Sequence, residues 1–172
     1  MLSIAPSCLA DVSLRDTDKP GFRRFIKRVP LGVVLVITPW KYVFDSPIMN
    51  GRIFLSYHFS YPYLTSVNSV LPAIISGNAV LLKPSPQTPL TAERFALALK
   101  TAGVPPDIIQ VIHTPPKLTS YVTQHPGVNF VSFTGSVVGG QAIANAAANN
   151  SSLPGVGLEV SIHSMEALTC YA

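Results

Sequence analysis

Short apolar runs of strand length recur along this chain, and each is followed by a stretch with helical spacing; that alternation constrains the fold more than any other feature. Residues 31–38 read LGVVLVIT, a continuous apolar run with three valines, which suits a strand covered on both faces. Over 64–76, Val67, Val70, Leu71, Ile74 and Ile75 fall at helical spacing, and the pattern stops at Gly77, a residue suited to a left-handed helix end. Pro72 inside that helix is expected to kink or locally break it. NAVLLK at 78–83 predicts a second strand, and Thr88-Pro89 supplies an N-cap followed by proline at the first helical position. The helix after it has its apolar face on Leu90, Phe95, Ala96 and Leu99, with Gly103 at its end. A third strand is expected over 108–112, a short helix over 116–124, a fourth strand over 128–133, an alanine-rich helix over 141–148 and a last strand over 156–160.

Strands and helices alternating with short connections make a parallel sheet with right-handed crossovers. The expected class is α/β, a partial Rossmann-like open parallel sheet with flanking helices, and ligands of such sheets sit at the carboxyl ends of the strands. Composition agrees. The 172 residues suffice for one core, and the hydrophobic fraction of 48% beside a charged fraction of 12% suits strands hidden on both sides. Residues 41–60 break the rhythm, because they separate the first strand from its helix where such connections usually run about two to six residues.

Several function classes are disfavoured. The formal charge is +4, and half of the basic residues lie within 15–28. Neither aromatic interleaving nor zinc spacing follows them, so a solvated segment is expected and a nucleic-acid partner is not. Cys8 and Cys170 are the only cysteines; they support neither a disulfide framework nor a metal site, and a cytoplasmic location is expected. His58, His113, His125 and His163 show no metal-ligand spacing. The opening residues lack the basic region of a secretory leader. Apolar runs end after about eight residues where a membrane span needs about twenty, so no membrane partner is expected.

Three features could carry chemistry. Phe133-Thr134-Gly135-Ser136 reads as a strand-to-helix turn of small residues, whose backbone N–H groups could meet a phosphate; a small-residue turn after any strand looks the same. Lys83 closes the second strand at the ligand edge, where its ammonium could meet a ribose hydroxyl or a phosphate, or simply sit in solvent. Glu159 ends the last strand between Leu158 and Val160, placed either as a partly buried general base or as a solvated edge residue. Cys8 and Cys170 have no nearby histidine or basic partner in sequence and read as inert thiols.

Taken together, PLGVVLVITPW at 30–40, SGNAVLLKPSPQTPLTAE at 76–93, VSFTGS at 131–136 and Leu158-Glu159 resemble the aldehyde dehydrogenase family. The order and spacing of the blocks match over 30–40 and 61–159. The resemblance implies oxidation of a small-molecule aldehyde with NAD or NADP: a cysteine thiolate attacks the carbonyl, hydride passes to the dinucleotide, and a glutamate activates water to hydrolyse the thioester. On this resemblance Lys83 is the adenosine-ribose contact, with Ser85 beside it among the cofactor-binding residues. Gly135 and Ser136 form the pyrophosphate turn, Trp40 belongs to the cofactor cleft, and Glu159 is the general base.

The chain departs from the family at four places. Lys41 stands where the family has an asparagine that donates to the oxyanion. Pro86 replaces a glutamate common in members that use NAD, which leaves NAD versus NADP open. Val160-Ser161-Ile162 replaces Leu-Gly-Gly. The family's nucleophilic cysteine, catalytic domain and oligomerisation strand have no counterpart in these residues, so no turnover is expected of the chain as it stands. The organisation expected is a basic segment over 1–29, an incomplete dinucleotide-binding domain over 30–160 interrupted at 41–60, and an unrelated tail over 161–172. The alternatives are a non-catalytic dinucleotide-binding module or a decayed or mis-spliced product without function.

Removing residues 41–60 would leave Trp40 next to Tyr61-Pro62, and the family reads Pro-Trp-Asn-Tyr-Pro there. The genetic code lets Lys41-Tyr42-Val43 contain a donor-like GTATGT and Phe59-Ser60 an acceptor-like CAG, and the join restores the asparagine. Glu159-Val160-Ser161 admits a second donor. Residues 41–60 and 160–172 are therefore expected to be translated introns.

Overall fold

The computed structural model describes residues 1–14, 21, 24–39 and 61–161. A short helix α1 (Ala5–Leu9) leads into two antiparallel strands, β1 (Val12–Leu14) and β2 (Arg24–Ile26). There follow β3 (Val33–Ile37), α2 (Tyr61–Ile75), β4 (Ala79–Lys83), α3 (Pro89–Thr101), β5 (Ile109–Val111), α4 (Pro116–Thr123), β6 (Phe130–Ser136), α5 (Val137–Ala148) and β7 (Gly155–Ser161). These last five strands form one parallel sheet in the order β5-β4-β3-β6-β7. The chain steps outward from β3 to β5, then returns to lay β6 on the other side of β3. That reversal is the topological switch point at which open α/β sheets open a crevice for ligands.

Two apolar clusters cover the two faces. On one, Val34, Val36, Val80 and Leu82 meet Val70 and Ala73 of α2 and Ala92 and Ala96 of α3. On the other, Leu35, Ile37, Val131 and Phe133 meet Ile143 of α5, with Val122 of α4 beside them. Adjacent residues of β3 thus serve opposite faces, which is why its run is apolar without interruption. Leu35 and Leu82 are fully enclosed, each burial being worth roughly 1.5–3 kcal/mol.

Polar side chains fix the strand entries. Asn78, buried after α2, accepts hydrogen bonds from the N–H groups of Leu31 and Gly32 at 2.6 and 3.0 Å and donates to the carbonyl of Ala73 at 3.0 Å. Asn129 accepts from the N–H of Val33 at 2.9 Å. Gly32 has φ +118°, and a Cβ there would run into the Asn129 side chain, so the position demands glycine twice over. Buried Asn150 donates to the carbonyls of Thr123 and His125, tying the end of α5 to the end of α4.

All five sheet strands fall where the apolar runs predict them, and four differences are instructive. β6 does not turn after Phe133 but stays extended through Ser136, because Gly135 and Ser136 pair in register with Val160 and Ser161 of β7. α5 begins at Val137 instead of 141, with Gly139 and Gly140 inside its first turn. α2 runs as one helix through Pro72. The N-terminal strand pair forms in a stretch expected only to be a solvated basic segment, and along β2 Arg24, Phe25 and Ile26 are all exposed. Residues 41–60, Trp40, His58, His163 and Cys170 lie outside the described residues, as does the tail from 162 onward.

Candidate cofactor site and general base

Lys83 is the last residue of β4, beside Ile37 of β3, whose other neighbour is Phe133 of β6. Lys83 and Phe133 are therefore two strand spacings apart, roughly 10 Å. By strand alternation both lie on the face covered by α4 and α5, where Leu81, Ile37 and Phe133 pack together. The lysine is not the solvated strand-end residue that its position allows. It is 7% exposed, its burial holds the ammonium below its ordinary pKa, and among the described residues no group accepts a hydrogen bond from it. Its backbone carbonyl is engaged, accepting from the N–H of Thr38 at 3.1 Å.

Ser85 is buried just beyond, with its hydroxyl committed to the turn before α3: it donates to Gln87 Oε1 at 3.2 Å and accepts from the Gln87 N–H at 3.4 Å. Pro86 is exposed beside it.

At the end of β6, exposed Ser136 is the N-cap of α5 and accepts from the N–H of Gly139 at 3.1 Å. Capping of this kind satisfies one of the orphan donors of a helix start and leaves the N–H groups of Val137 and Val138 without intrahelical partners. Gly135 has a packing reason to be glycine. A Cβ there would lie 2.7 Å from Phe133 Cζ, and one on Gly139 would lie 2.8 Å from the same atom. The Phe133 ring thus sits under the first turn of α5, a relationship that spacing alone does not reveal.

Glu159 pairs in register with Thr134 on β7, the edge strand. A partly buried carboxyl was one of the two expected environments; the residue is exposed at the outer edge of the sheet. Thr134 Oγ1 donates to Glu159 Oε2 at 3.4 Å, long for a hydroxyl–carboxylate bond. Glu159 also lines an open groove of about 870 Å³ between α2, β6 and the segment after β2, with Ser69, Ser132, Lys27 and Arg28 among its walls. The Ser69 and Ser132 hydroxyls lie 2.9 Å apart across it. None of Lys83, Ser85, Gly135 and Ser136 borders this groove.

The sheet therefore separates the expected site residues. Lys83, Gly135 and Ser136 share the carboxyl edge on the α4–α5 side, Ser85 faces its own turn, and Glu159 sits one strand further out on the α2 side. Trp40 is outside the described residues. Cys8, in α1, is exposed. Among the described residues no group of three or more histidine, cysteine or acidic side chains could hold a metal ion.

A model of the aldehyde dehydrogenase family matches residues 5–165. The chain belongs to the aldehyde dehydrogenase family. A probable betaine aldehyde dehydrogenase of Schizosaccharomyces pombe is 37% identical over 134 residues, 77% of this chain and 23% of the relative. Among solved structures, an NAD-dependent benzaldehyde dehydrogenase from Corynebacterium glutamicum is 28% identical with a TM-score of 0.74, over 92% of this chain and 30% of that one. A Tyr-to-Leu variant of betaine aldehyde dehydrogenase from Staphylococcus aureus, solved with NAD+, gives the same identity and TM-score over 92% and 28%. This chain thus spans about a quarter of the length of the aldehyde dehydrogenases it matches. No helix among the described residues is long and apolar enough to cross a membrane.

Proposed function

We propose that this chain supplies the dinucleotide-binding part of an aldehyde dehydrogenase, with NAD(P)+ lying along the carboxyl edge of β4, β3 and β6. The observation that carries the reading is Lys83: a largely enclosed side chain at the end of β4 whose ammonium makes no hydrogen bond to the described residues, about two strands from a capped helix start on the same face. Partial desolvation disfavours the charged form of this lysine, and a ribose hydroxyl or phosphate oxygen at this edge would offset that. The Ser136 hydroxyl and the N–H of Val138 would hold the pyrophosphate; the N–H of Val137 is turned to Ser161 in the β6–β7 ladder. Ser85 and Trp40 complete the proposed cofactor residues. The side chain of Pro86 offers no acceptor to a ribose hydroxyl, so among the side chains at this edge Lys83 carries that contact with either dinucleotide.

The bound dinucleotide would supply the acceptor for hydride from the aldehyde. Glu159 would take a proton from the water that releases the acid. Because it lies on the α2 side of the sheet and Lys83 on the other, the dinucleotide has to pass over the carboxyl edge to bring its reactive end near the carboxylate. The family's cysteine nucleophile has no counterpart here: Cys8 is on α1 and Cys170 lies in a tail unlike the nucleophile's loop. The 172 residues are therefore proposed to bind without turning over, in the cytoplasm, as an incomplete domain over 30–160. Titration with NAD+ and NADP+ tests this: saturable heat with either supports it, and none with both removes it.

A second observation concerns the gene product. β3 ends at Ile37 and α2 begins at Tyr61. Removal of residues 41–60 would leave a β3–α2 connection within the usual range of about two to six residues. The working message is proposed to lack this segment and to continue past Glu159 into Leu-Gly-Gly and a downstream cysteine. Transcript sequencing across the Trp40 and Glu159 codons decides it: retention of both segments in the mature message would leave only binding or decay.

A further inference from the structure

We infer that Phe133 is a positioning residue for the dinucleotide, its ring setting the direction of the Val138 N–H and the place of the Ser136 hydroxyl at the start of α5; this rests on the cofactor reading above. The ring is 8% exposed and belongs to the cluster formed with Leu35, Ile37, Val131 and Ile143, so it is held from the sheet side. Its far end stands against the first turn of α5. Cζ would be 2.7 Å from a Cβ on Gly135 and 2.8 Å from one on Gly139, and Cε1 would be 3.6 Å from one on Gly140. The same turn is held from its other end by the Ser136 hydroxyl, which accepts from Gly139 at 3.1 Å.

Two glycines, Gly135 and Gly139, therefore admit one ring, while a Cβ on Gly140 would run instead into Val160 Cγ1 at 2.8 Å. Gly135 is extended, with no positive φ, so backbone conformation does not require glycine there. A side chain at this position would have to displace either the ring or the helix, and displacing the helix re-aims the N–H of Val138. A misplacement on the order of 1 Å in such positioning groups suffices to lose much of their effect. On this account Gly135 is glycine because of Phe133, whereas a phosphate-driven requirement would leave the ring irrelevant.

The two explanations separate in a double-mutant cycle. Affinities for NAD+ and for adenosine, which lacks the pyrophosphate, are measured on the full chain and on Gly135→Ala, Phe133→Leu and the double variant. The ratio of NAD+ to adenosine affinity is expected to fall about tenfold in each single variant, and the double variant should be no worse than Phe133→Leu alone, because leucine has no atom at the Cζ position. A merely structural role would lower both affinities together and leave the ratio unmoved. Equal losses from Gly135→Ala in both backgrounds would overturn the inference while leaving the cofactor reading intact. Absence of NAD+ binding by the unmutated chain would overturn both. Should Phe133→Leu fail to fold, Phe133→Met, close in volume, takes its place.

Discussion

The side-chain oxygen of Asn78 lies 2.6 Å from the backbone nitrogen of Leu31, joining the end of α2 to the entry of the central strand β3. The same oxygen accepts from Gly32, and the amide nitrogen donates to Ala73, so the group is satisfied although it is only 5% exposed. Replacement by alanine would leave two backbone donors and one acceptor without their partner. Asn78→Ala is expected to lower unfolding stability by about 2–4 kcal/mol, from several hydrogen bonds lost at a buried site. Urea denaturation measures it, and a loss within experimental error would mean that solvent replaces the side chain.

Gly32→Ala is expected to cost about 2–3 kcal/mol, part from holding a side chain at φ +118° and part from displacing Asn129, which caps β3 through Val33. Gly103→Ala is the control: it too has positive φ, at +95°, but nothing lies within 4 Å of the added carbon. Its loss should be the smaller of the two in parallel denaturation curves.

Lys83 links stability to pH with a definite sign. Burial lowers its pKa in the folded chain from the ordinary 10.5. Between the lowered value and 10.5 the unfolded chain binds more protons, so stability rises with pH through that window; below it the full penalty of the buried charge is felt. Lys83→Met is expected to stabilise the unliganded chain at neutral pH, with the advantage shrinking as pH approaches 10.5. The same variant should weaken NAD+ binding by about tenfold or more, the loss of a charge-assisted contact worth roughly 1.5–3 kcal/mol. Denaturation at several pH values and a cofactor titration give the two readings; a constant stability difference across the window would contradict the first.

His113 and Glu93 make a 2.7 Å pair whose side chains are 45% and 52% exposed. Solvent screens such a pair, and Glu93→Gln is expected to change stability by less than about 1 kcal/mol. NAD+ affinity should stay as it is, since the pair joins α3 to the loop after β5, away from β6 and α5. A loss of several kcal/mol in thermal or urea unfolding would show the pair to be structural.

The sheet was legible in the sequence because strands covered on both faces leave unbroken apolar runs, as in VVLVI and AVLLK. The helices were legible from Gly77 and Gly103, which adopt the positive φ that helix ends favour. The end of β6 was not: Thr134-Gly135-Ser136 has the composition of a turn, and only pairing with β7 keeps it extended. The glycines at the start of α5 read as loop because the Phe133 ring that they accommodate acts across space. The two apolar neighbours of Glu159 left a partly buried and a solvated carboxyl equally open; they point to the other face of the strand, and the carboxylate is exposed. β2 is exposed along its whole length, so no periodic apolar pattern announced the N-terminal strand pair.

The proposed place of the dinucleotide is the carboxyl edge between Lys83 and the start of α5. Its most direct test is the map of backbone amide shifts in a nitrogen-15-labelled chain titrated with NAD+. Saturable shifts concentrated at Lys83, Gly135, Ser136, Val137 and Val138 are the predicted result. Shifts confined to Ser69, Ser132 and the rest of the α2-side groove, or no saturable shifts at all, would contradict it.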